Sequence, residues 1–529
     1  MATTLAVVGT GPTGIYAFRS LIRHSTPLVI WLFEKGEKAG IGMPYSPETA
    51  SKAMLANIAS IEIPPVVTPY LDWLQDLPQA RLSSYGLAVD ELDDRQFTPR
   101  LLLGEYFRDQ LMTLVDHARA AGHQIEIREK TEITDLVAQE GEVILHSANG
   151  PLTQRFDRVI VATGHVFPEA EETSRTYFPS PWSGLIDAEI PAARVGIMGT
   201  SLSSIDAAMA VANQHGRFYR KGEDLTFKTD VDGLKITLMS WTGVLPEADF
   251  YCPLPYLPLQ EMTDAALARC LSAPRPYDAI FDLFRAEILQ ADPAYAARIG
   301  LADLTADSFP DAYFAEREAQ DPFRWARKNL AEVEYNKAHE ITVPWRYAIL
   351  RMHEKIDAVV ADLPDDDRER FDAGLKKVFV DNYAAVPSES IRRLLALRDA
   401  GVLEVLALGD PYDLDRTGEK TVIRAKGKTH VFDIFIDARG QKPLTTEDLP
   451  FPHLRDALLE AGQEIPEVDD AYQLIGAEDF AGRISFGALP YLMHDKPFVQ
   501  GITACAEIGT AMAREIRQDA ARRKRRRWA

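Results

Sequence analysis

Short unbroken apolar runs stand at Leu5–Val8 and Val29–Phe33. Strands without polar alternation suit the interior of a parallel sheet covered on both faces. Between these runs, small and apolar residues at helical spacing predict a helix from about Thr13 to His24. Ile125–Ile127 and Val143–His146 read as further short strands, and Phe156–Gly164 as a buried strand ending in a turn. The pattern then starts over. Arg194–Gly199 is a strand entering a turn, Ser203–Ala212 has helical spacing, and Ile236–Ser240 is the next strand. From about 258 to 400, alanine, leucine, arginine and glutamate dominate and β-branched runs are scarce. With Pro253, Pro255 and Pro258 at its approach, this region predicts a mainly helical insertion. Strand texture returns at Leu403–Leu406 and Thr421–Arg424. Phe432–Gly440 repeats the pattern of 156–164: Phe-Asp, an apolar strand, Ala-x-Gly. A strand, a glycine turn and a helix follow between Arg483 and Arg517.

This order predicts an α/β fold with two dinucleotide-binding (Rossmann-like) domains and a mainly helical insertion. The repeat at 432–440 reads as the chain leaving the second domain to rejoin the first, which makes the first domain discontinuous. The expected spans are 1–190 with 428–529 for the first domain and 191–257 with 401–427 for the second. Residues 258–400 form the insertion, a region for substrate or for subunit contacts.

A chain of 529 residues is too long for one core, in keeping with several domains. The net charge of -21 argues against a nucleic-acid-binding body. The three cysteines, Cys252, Cys270 and Cys505, form no CxxC pair, so no disulfide framework or metal site is expected. The N-terminal apolar run has no basic residue before it and meets a glycine turn, so it reads as a buried strand rather than a signal peptide. No apolar stretch reaches the about 18 residues of a membrane span. These features suit a reducing, cytoplasmic setting. The basic run Arg522–Arg527 is either a solvated tail or a contact for an anionic surface.

Gly9-x-Gly11-x-x-Gly14 follows the first strand and opens the first helix. In such a turn the first glycine permits the bend, the second lets backbone approach a pyrophosphate, and the third lets helix and strand pack closely. The phosphates then face the free N–H groups of the helix start. Glu34, at the end of the second strand, can accept hydrogen bonds from ribose hydroxyls and would repel a 2′-phosphate. The first site therefore suits FAD or NAD rather than NADP. In the second turn, Gly199-Thr200-Ser201-Leu202-Ser203-Ser204, serines stand where the later glycines would be. The strand after it ends Met239-Ser240-Trp241-Thr242 without an acid, which permits NADPH and leaves NADH possible. Arg217, Arg220 and Lys221 are the cations that a nearby loop could offer a 2′-phosphate.

Taken with Gly40–Tyr45, Leu55–Ile58, Phe97–Arg100 and Ala162–His165, the two turns resemble the FAD/NAD(P)-binding proteins related to flavin-dependent N-hydroxylating monooxygenases. The resemblance covers most of the chain and is weakest across 258–400. It implies that Gly9, Gly11, Pro12, Thr13 and Gly14 hold the FAD pyrophosphate and that Glu34, with Lys35 beside it, holds the adenosine ribose. Tyr45, Asn57 and Arg100 would lie near the flavin or its ribityl chain, with Thr163, Gly164 and Gly440 at the strand ends. Gly199, Ser201, Ser203, Ser204 and Ser240 would face the nicotinamide cofactor. Many relatives carry an arginine pair where this chain has Trp241-Thr242.

The implied chemistry is oxygenation of a small amine or amino acid by NADPH and O2 through a C4a-peroxyflavin. The flavin carries that chemistry, so no catalytic residue is singled out. Arg346, Arg351, His494 and Lys496 are candidates for an anionic substrate group. The same two sites also suit a reductase passing electrons to a partner, or a non-catalytic flavin-binding regulator.

Overall fold

A computed structural model describes residues 3–23, 26–167, 174, 176–222, 224–499 and 501–528, with side chains as far as Arg517. The chain divides into two compact units, 1–167 with 441–494 and 499–529, and 168–440 with 495–498.

The first unit holds a five-stranded parallel sheet in the order Ile484–Phe486, Arg158–Val161, Thr4–Val8, Val29–Phe33, Gln124–Arg128. Its central strands are buried along nearly their whole length, as their unbroken apolar sequences require. Helix Pro12–Leu21 follows the first strand, and His24, the expected helix end, lies outside the described residues. The long helix Gly501–Trp528 packs on Pro12–Leu21 so closely that a Cβ on Gly509 would stand 2.6 Å from the carbonyl oxygen of Thr13. The side chains of the basic run 522–527 lie outside the described residues. Val143–His146 belongs to Glu142–Ser147, the middle strand of a separate antiparallel meander with Ile133–Gln139 and Gly150–Phe156.

The second unit repeats this plan. Its parallel sheet runs Leu403–Ala407, Lys235–Ser240, Arg194–Met198, Ile434–Asp437, Tyr177–Phe178. A second antiparallel meander, Tyr412–Asp415, Thr421–Ala425 and Lys428–Phe432, precedes Ile434–Asp437 just as the first precedes Arg158–Val161. The Phe-Asp repeat has a physical cause. Asp157 accepts a hydrogen bond from the Thr4 N–H (2.9 Å) and donates its own N–H to the Thr4 carbonyl (2.9 Å). Asp433 does the same to Arg194, at 3.1 and 2.9 Å. Each aspartate fixes the register of a glycine-turn strand against its neighbour.

This corrects one expectation. Ile434–Asp437 does not return the chain to the first sheet. It pairs with Arg194–Met198, because Asp433 clamps Arg194, and the strand that rejoins the first sheet is Ile484–Phe486. Residues 428–440 therefore stay with the second unit, as does Tyr177–Phe178, which pairs with Ile434–Asp437.

Helices from Asp264–Leu271 to Ser388–Asp399 fill the segment between strands Lys235–Ser240 and Leu403–Ala407 of the second sheet. Their aromatic core includes Phe281, Phe284, Phe309, Phe371 and Phe379. Glu287, 2% exposed, accepts N–H donors from Gln260, Glu261 and Met262 and so fastens the entry of the segment. A second polar group is buried beside this core. Glu247 pairs with Arg346 at 3.1 Å and accepts from the Trp325 indole at 2.8 Å. Arg317 pairs with Asp381 at 2.5 Å, and Tyr313 donates to the same carboxylate at 2.8 Å.

Burial alone would push the Glu247 carboxyl up, but Arg346, Arg317 and the Trp325 hydrogen bond outweigh it and hold Glu247 below its ordinary 4.5. A group whose acidity is raised by folding stabilises the fold above its unfolded value and loses that effect as pH falls through the folded one. Glu247→Gln strands the buried arginines and is expected to cost roughly 3–5 kcal/mol at neutral pH. The gap between variant and parent in urea denaturation should narrow on acidification below pH 4.5. A gap independent of pH would show that Glu247 contributes through packing alone.

Candidate functional site

The first glycine turn is shaped by two contacts that admit no side chain. Gly9 has a φ of 97°, and a Cβ there would stand 2.2 Å from the carbonyl oxygen of Ala162. A Cβ on Gly14 would stand 2.1 Å from the carbonyl oxygen of Gly9. These glycines let the turn close on itself. Gly11 is different: its Cβ would meet only the Cα of Gly42, at 3.4 Å. Gly11 caps helix Pro12–Leu21 without a side-chain hydrogen bond, and Gly42 faces it. Two bare stretches of backbone thus border the positive end of a helix, a cradle of the kind a pyrophosphate occupies.

Glu34 is held in place by a residue that the glycine spacing does not reveal. Thr10 donates its hydroxyl to Glu34 Oε2 at 2.6 Å and accepts the Gly40 N–H at 3.0 Å. Gly36 donates its N–H to the other carboxylate oxygen at 2.9 Å. Both oxygens of the carboxylate are therefore fixed by neighbours within the protein. Lys35 beside it is exposed. Gly42, like Thr10, was missed by the glycine spacing; its signal was the second glycine in Gly40-x-Gly42.

Tyr45, Asn57 and Arg100 are assembled by backbone pairing. Ala56 donates to the Thr98 carbonyl at 2.8 Å, and Arg100 donates its backbone N–H to the Met54 carbonyl (2.9 Å) and its Nε to that of Leu55 (3.1 Å). Burial, the largest influence, raises the Tyr45 pKa, and the nearby Arg100 guanidinium opposes it. A Cβ on Gly104 would stand 2.5 Å from the Tyr45 carbonyl oxygen, so helix Arg100–Ala120 presses directly on this turn. Asn57 Oδ1 is buried without a hydrogen-bond partner, as expected of a group that awaits a ligand. Thr163 and Gly164 follow Ala162 at the lip of the turn, and Gly164 has open space around its Cα.

The second turn reproduces the first position by position. Gly199 has a φ of 124°, and its Cβ would meet the Ala438 carbonyl oxygen at 2.9 Å. The N–H of Gly9 donates to Phe33 at 2.9 Å, and that of Gly199 to Met239 at 2.6 Å. The residue after each acceptor is Glu34 in one case and Ser240 in the other. Thr200 donates to Ser240 Oγ at 3.3 Å, as Thr10 does to Glu34. Ser201, in the place of Gly11, is exposed and makes no cap hydrogen bond, and Ser203 is half-buried. Ser204 corresponds to Gly14. It is 1% exposed, and its Oγ lies under Gly199 without a hydrogen-bond partner. Gly440 follows Ile434–Asp437, just past Ala438, whose carbonyl lies against Gly199.

Of the substrate candidates, Arg346, Arg351 and Lys496 belong to the second unit and His494 to the first. The Arg346 guanidinium is spent on Glu247 and lies over the Phe250 ring at 4.3 Å. Arg351 donates to the carbonyls of Leu257 and Pro258 at 2.9 and 3.0 Å. Arg346 is thus held within the protein by a carboxylate, and Arg351 by backbone carbonyls. His494 hydrogen-bonds the Leu444 carbonyl at 3.0 Å in the first unit, whereas Lys496 falls in the short segment 495–498 of the second. Arg220, offered above as a cation for a 2′-phosphate, is paired with Glu389. Among the described residues no cluster of His, Cys, Asp or Glu could hold a metal ion, and no helix is long and apolar enough to cross a membrane.

A glycine turn on a parallel sheet, a tethered ribose acid and a second turn of the same build define an FAD/NAD(P)-binding protein. Accordingly, residues 6–166 match the family model described as FAD-NAD(P)-binding, and residues 263–383 match that of the YdhS-like middle domain. The chain belongs to the YdhS family: it is 53% identical over 527 residues to the Escherichia coli K12 protein described as "Uncharacterized protein YdhS", covering 99% of both. Its fold is similar to that of the ornithine N-hydroxylase of Kutzneria sp. 744, with a TM-score of 0.53 at 13% identity over 98% of this chain and 100% of the other. It is similar to the same degree to the reduced form of the ornithine hydroxylase of Pseudomonas aeruginosa (TM-score 0.53, 13% identity, 98% and 99% covered).

The three glycines should respond differently to one methyl group. Gly9→Ala and Gly14→Ala are expected to prevent closure of the turn and to yield unfolded or insoluble protein. Gly11→Ala should fold, with a melting temperature within about 4 °C of the parent apoprotein, yet lose bound FAD as read by visible absorbance. Full flavin occupancy in Gly11→Ala would remove the cradle from the binding site.

Proposed function

We propose that the chain is an FAD-dependent NAD(P)H oxidoreductase, and specifically a monooxygenase that hydroxylates the nitrogen of a small amine or amino acid using O2. FAD occupies the Gly9–Gly14 turn and a nicotinamide nucleotide the Gly199–Ser204 turn. The observation that carries this reading is the matched register of the two turns with a carboxylate in one and a serine in the other. Two equivalent sites with opposite tolerance for a 2′-phosphate suit two different dinucleotides. The similarity to a hydroxylase whose description names reduced FAD, NADP+ and L-ornithine supports the choice of chemistry.

When bound, the flavin supplies the redox and oxygen chemistry. The residues of this chain hold and orient it. Gly11 and Gly42 border the pyrophosphate, the first turn of helix Pro12–Leu21 offers its N–H groups, and Glu34, fixed by Thr10, takes the ribose. Asn57 supplies an acceptor aimed at the bound group. Burial pushes the Cys505 thiol up to about 11, so it stays protonated at neutral pH.

Anaerobic addition of NADPH to the yellow protein should bleach the flavin. Aerobic turnover with a panel of small amines and amino acids should give a product heavier by one oxygen atom, detected by mass spectrometry. NADPH consumption that yields only hydrogen peroxide with every amine, or that needs a dye or quinone acceptor, would replace the monooxygenase with a reductase. No bleaching by either nicotinamide nucleotide would favour a non-catalytic flavin-binding protein.

A further inference from the structure

The matched register shows what stands at the adenosine end of the second site. Aligning Phe33 with Met239 puts Ser240 in the place of Glu34, Trp241 in that of Lys35 and Thr242 in that of Gly36. The carboxylate that would repel a 2′-phosphate is absent from this turn. Trp241 is 61% exposed, a costly position for an indole with no partner to cover it. The loop after Leu403–Ala407 runs alongside: Leu408 donates to the Ser240 carbonyl and Gly409 to that of Trp241, both at 2.9 Å. Over Gly409 lies the side chain of Lys426, from the turn between Thr421–Ala425 and Lys428–Phe432. A Cβ on Gly409 would stand 2.8 Å from Lys426 Cε and 3.7 Å from its Nζ. Lys426 is exposed and makes no ion pair among the described residues. Asp410 follows in the same loop and is exposed as well.

We infer that Trp241 and Lys426 form the adenosine-end clamp of the second site and that Lys426 selects NADPH over NADH. The indole is the stacking platform for the adenine, which both nucleotides share. The ammonium group meets the 2′-phosphate, which only NADPH carries. Ser240 keeps the position neutral and small. The cation is thus supplied from the distant meander and not from the end of the strand itself, where the sequence offers Trp241 and Thr242. This inference rests on the assignment of the second turn to a nicotinamide nucleotide.

The test is calorimetric titration of the full-length, FAD-loaded protein with NADP+ and separately with NAD+. The parent should bind NADP+ more tightly by about tenfold or more, the worth of one charge-assisted contact. Lys426→Glu should abolish that preference and leave NAD+ within about twofold, and Lys426→Arg should retain it. Trp241→Ala should weaken both nucleotides by a similar factor, of about five to tenfold. The preference should shrink with added salt. Equal binding of the two nucleotides with Lys426→Glu silent overturns the clamp and leaves the nicotinamide site standing. So does loss of NAD+ binding in Asp410→Asn, which would make Asp410 the ribose acid of this turn. If the parent binds neither nucleotide, the assignment of the second turn falls and the clamp with it.

Discussion

The nucleotide-binding architecture depends on an α-carbon pressed against a carbonyl oxygen. In the first unit Gly9 lies against Ala162, and in the second Gly199 lies against Ala438. The contact is possible only because neither glycine carries a side chain and both adopt a positive φ. It draws the end of one strand under the turn that leaves its neighbour, and so fixes where the following helix begins. Everything that reads a ligand hangs from that point: the free N–H groups of the helix start, the cradle at Gly11 and the residue at the end of the next strand. The aspartates at 157 and 433 serve the same contact from the other end, because a slip of one residue in strand pairing would carry the alanine carbonyl out of reach.

Much of this was legible in the sequence, for a physical reason. A turn that excludes every side chain but hydrogen must show itself as glycine, and a strand covered on both faces must show itself as an unbroken apolar run. The repeat at 432–440 was equally visible, but its partner was not. An Ala-x-Gly strand can close either sheet, and only the Asp433–Arg194 clamp decides between them. The role of Thr10 was hidden for another reason. A threonine between two glycines is unremarkable until the fold brings Glu34, twenty-four positions away, within hydrogen-bond distance of its hydroxyl.

The arginines of the helical segment show the opposite failure. Beside tryptophan and tyrosine, Arg346 and Arg351 had the composition of a carboxylate clamp. In the fold Arg346 pairs with Glu247, and Arg351 donates to the carbonyls of Leu257 and Pro258. The two buried arginines, Arg346 and Arg317, are accompanied by buried acceptors: Glu247 for Arg346, and Asp381 with the Leu245 carbonyl for Arg317. Sequence spacing cannot distinguish a guanidinium that waits for a substrate from one that is already satisfied, because the satisfying groups come from elements far apart along the chain.

The two turns also explain how one fold can hold two similar molecules without confusing them. FAD and a nicotinamide nucleotide share a pyrophosphate and an adenosine, so the glycine turn alone cannot tell them apart. Discrimination has to come from the position after the second strand, where the backbone is the same and only the side chain differs. A glutamate held by Thr10 and Gly36 brings a fixed negative charge to the first site. A serine in its place brings none to the second, and leaves its character to Trp241 and to a lysine lent by the meander. In a chain that carries a net charge of -21, an unpaired cation beside a neutral strand end provides local attraction for an anionic group. The turn is thus built twice, and the two copies differ at the strand end, where Ser240 stands for Glu34, and within the turn, where Ser201 and Ser204 stand for Gly11 and Gly14.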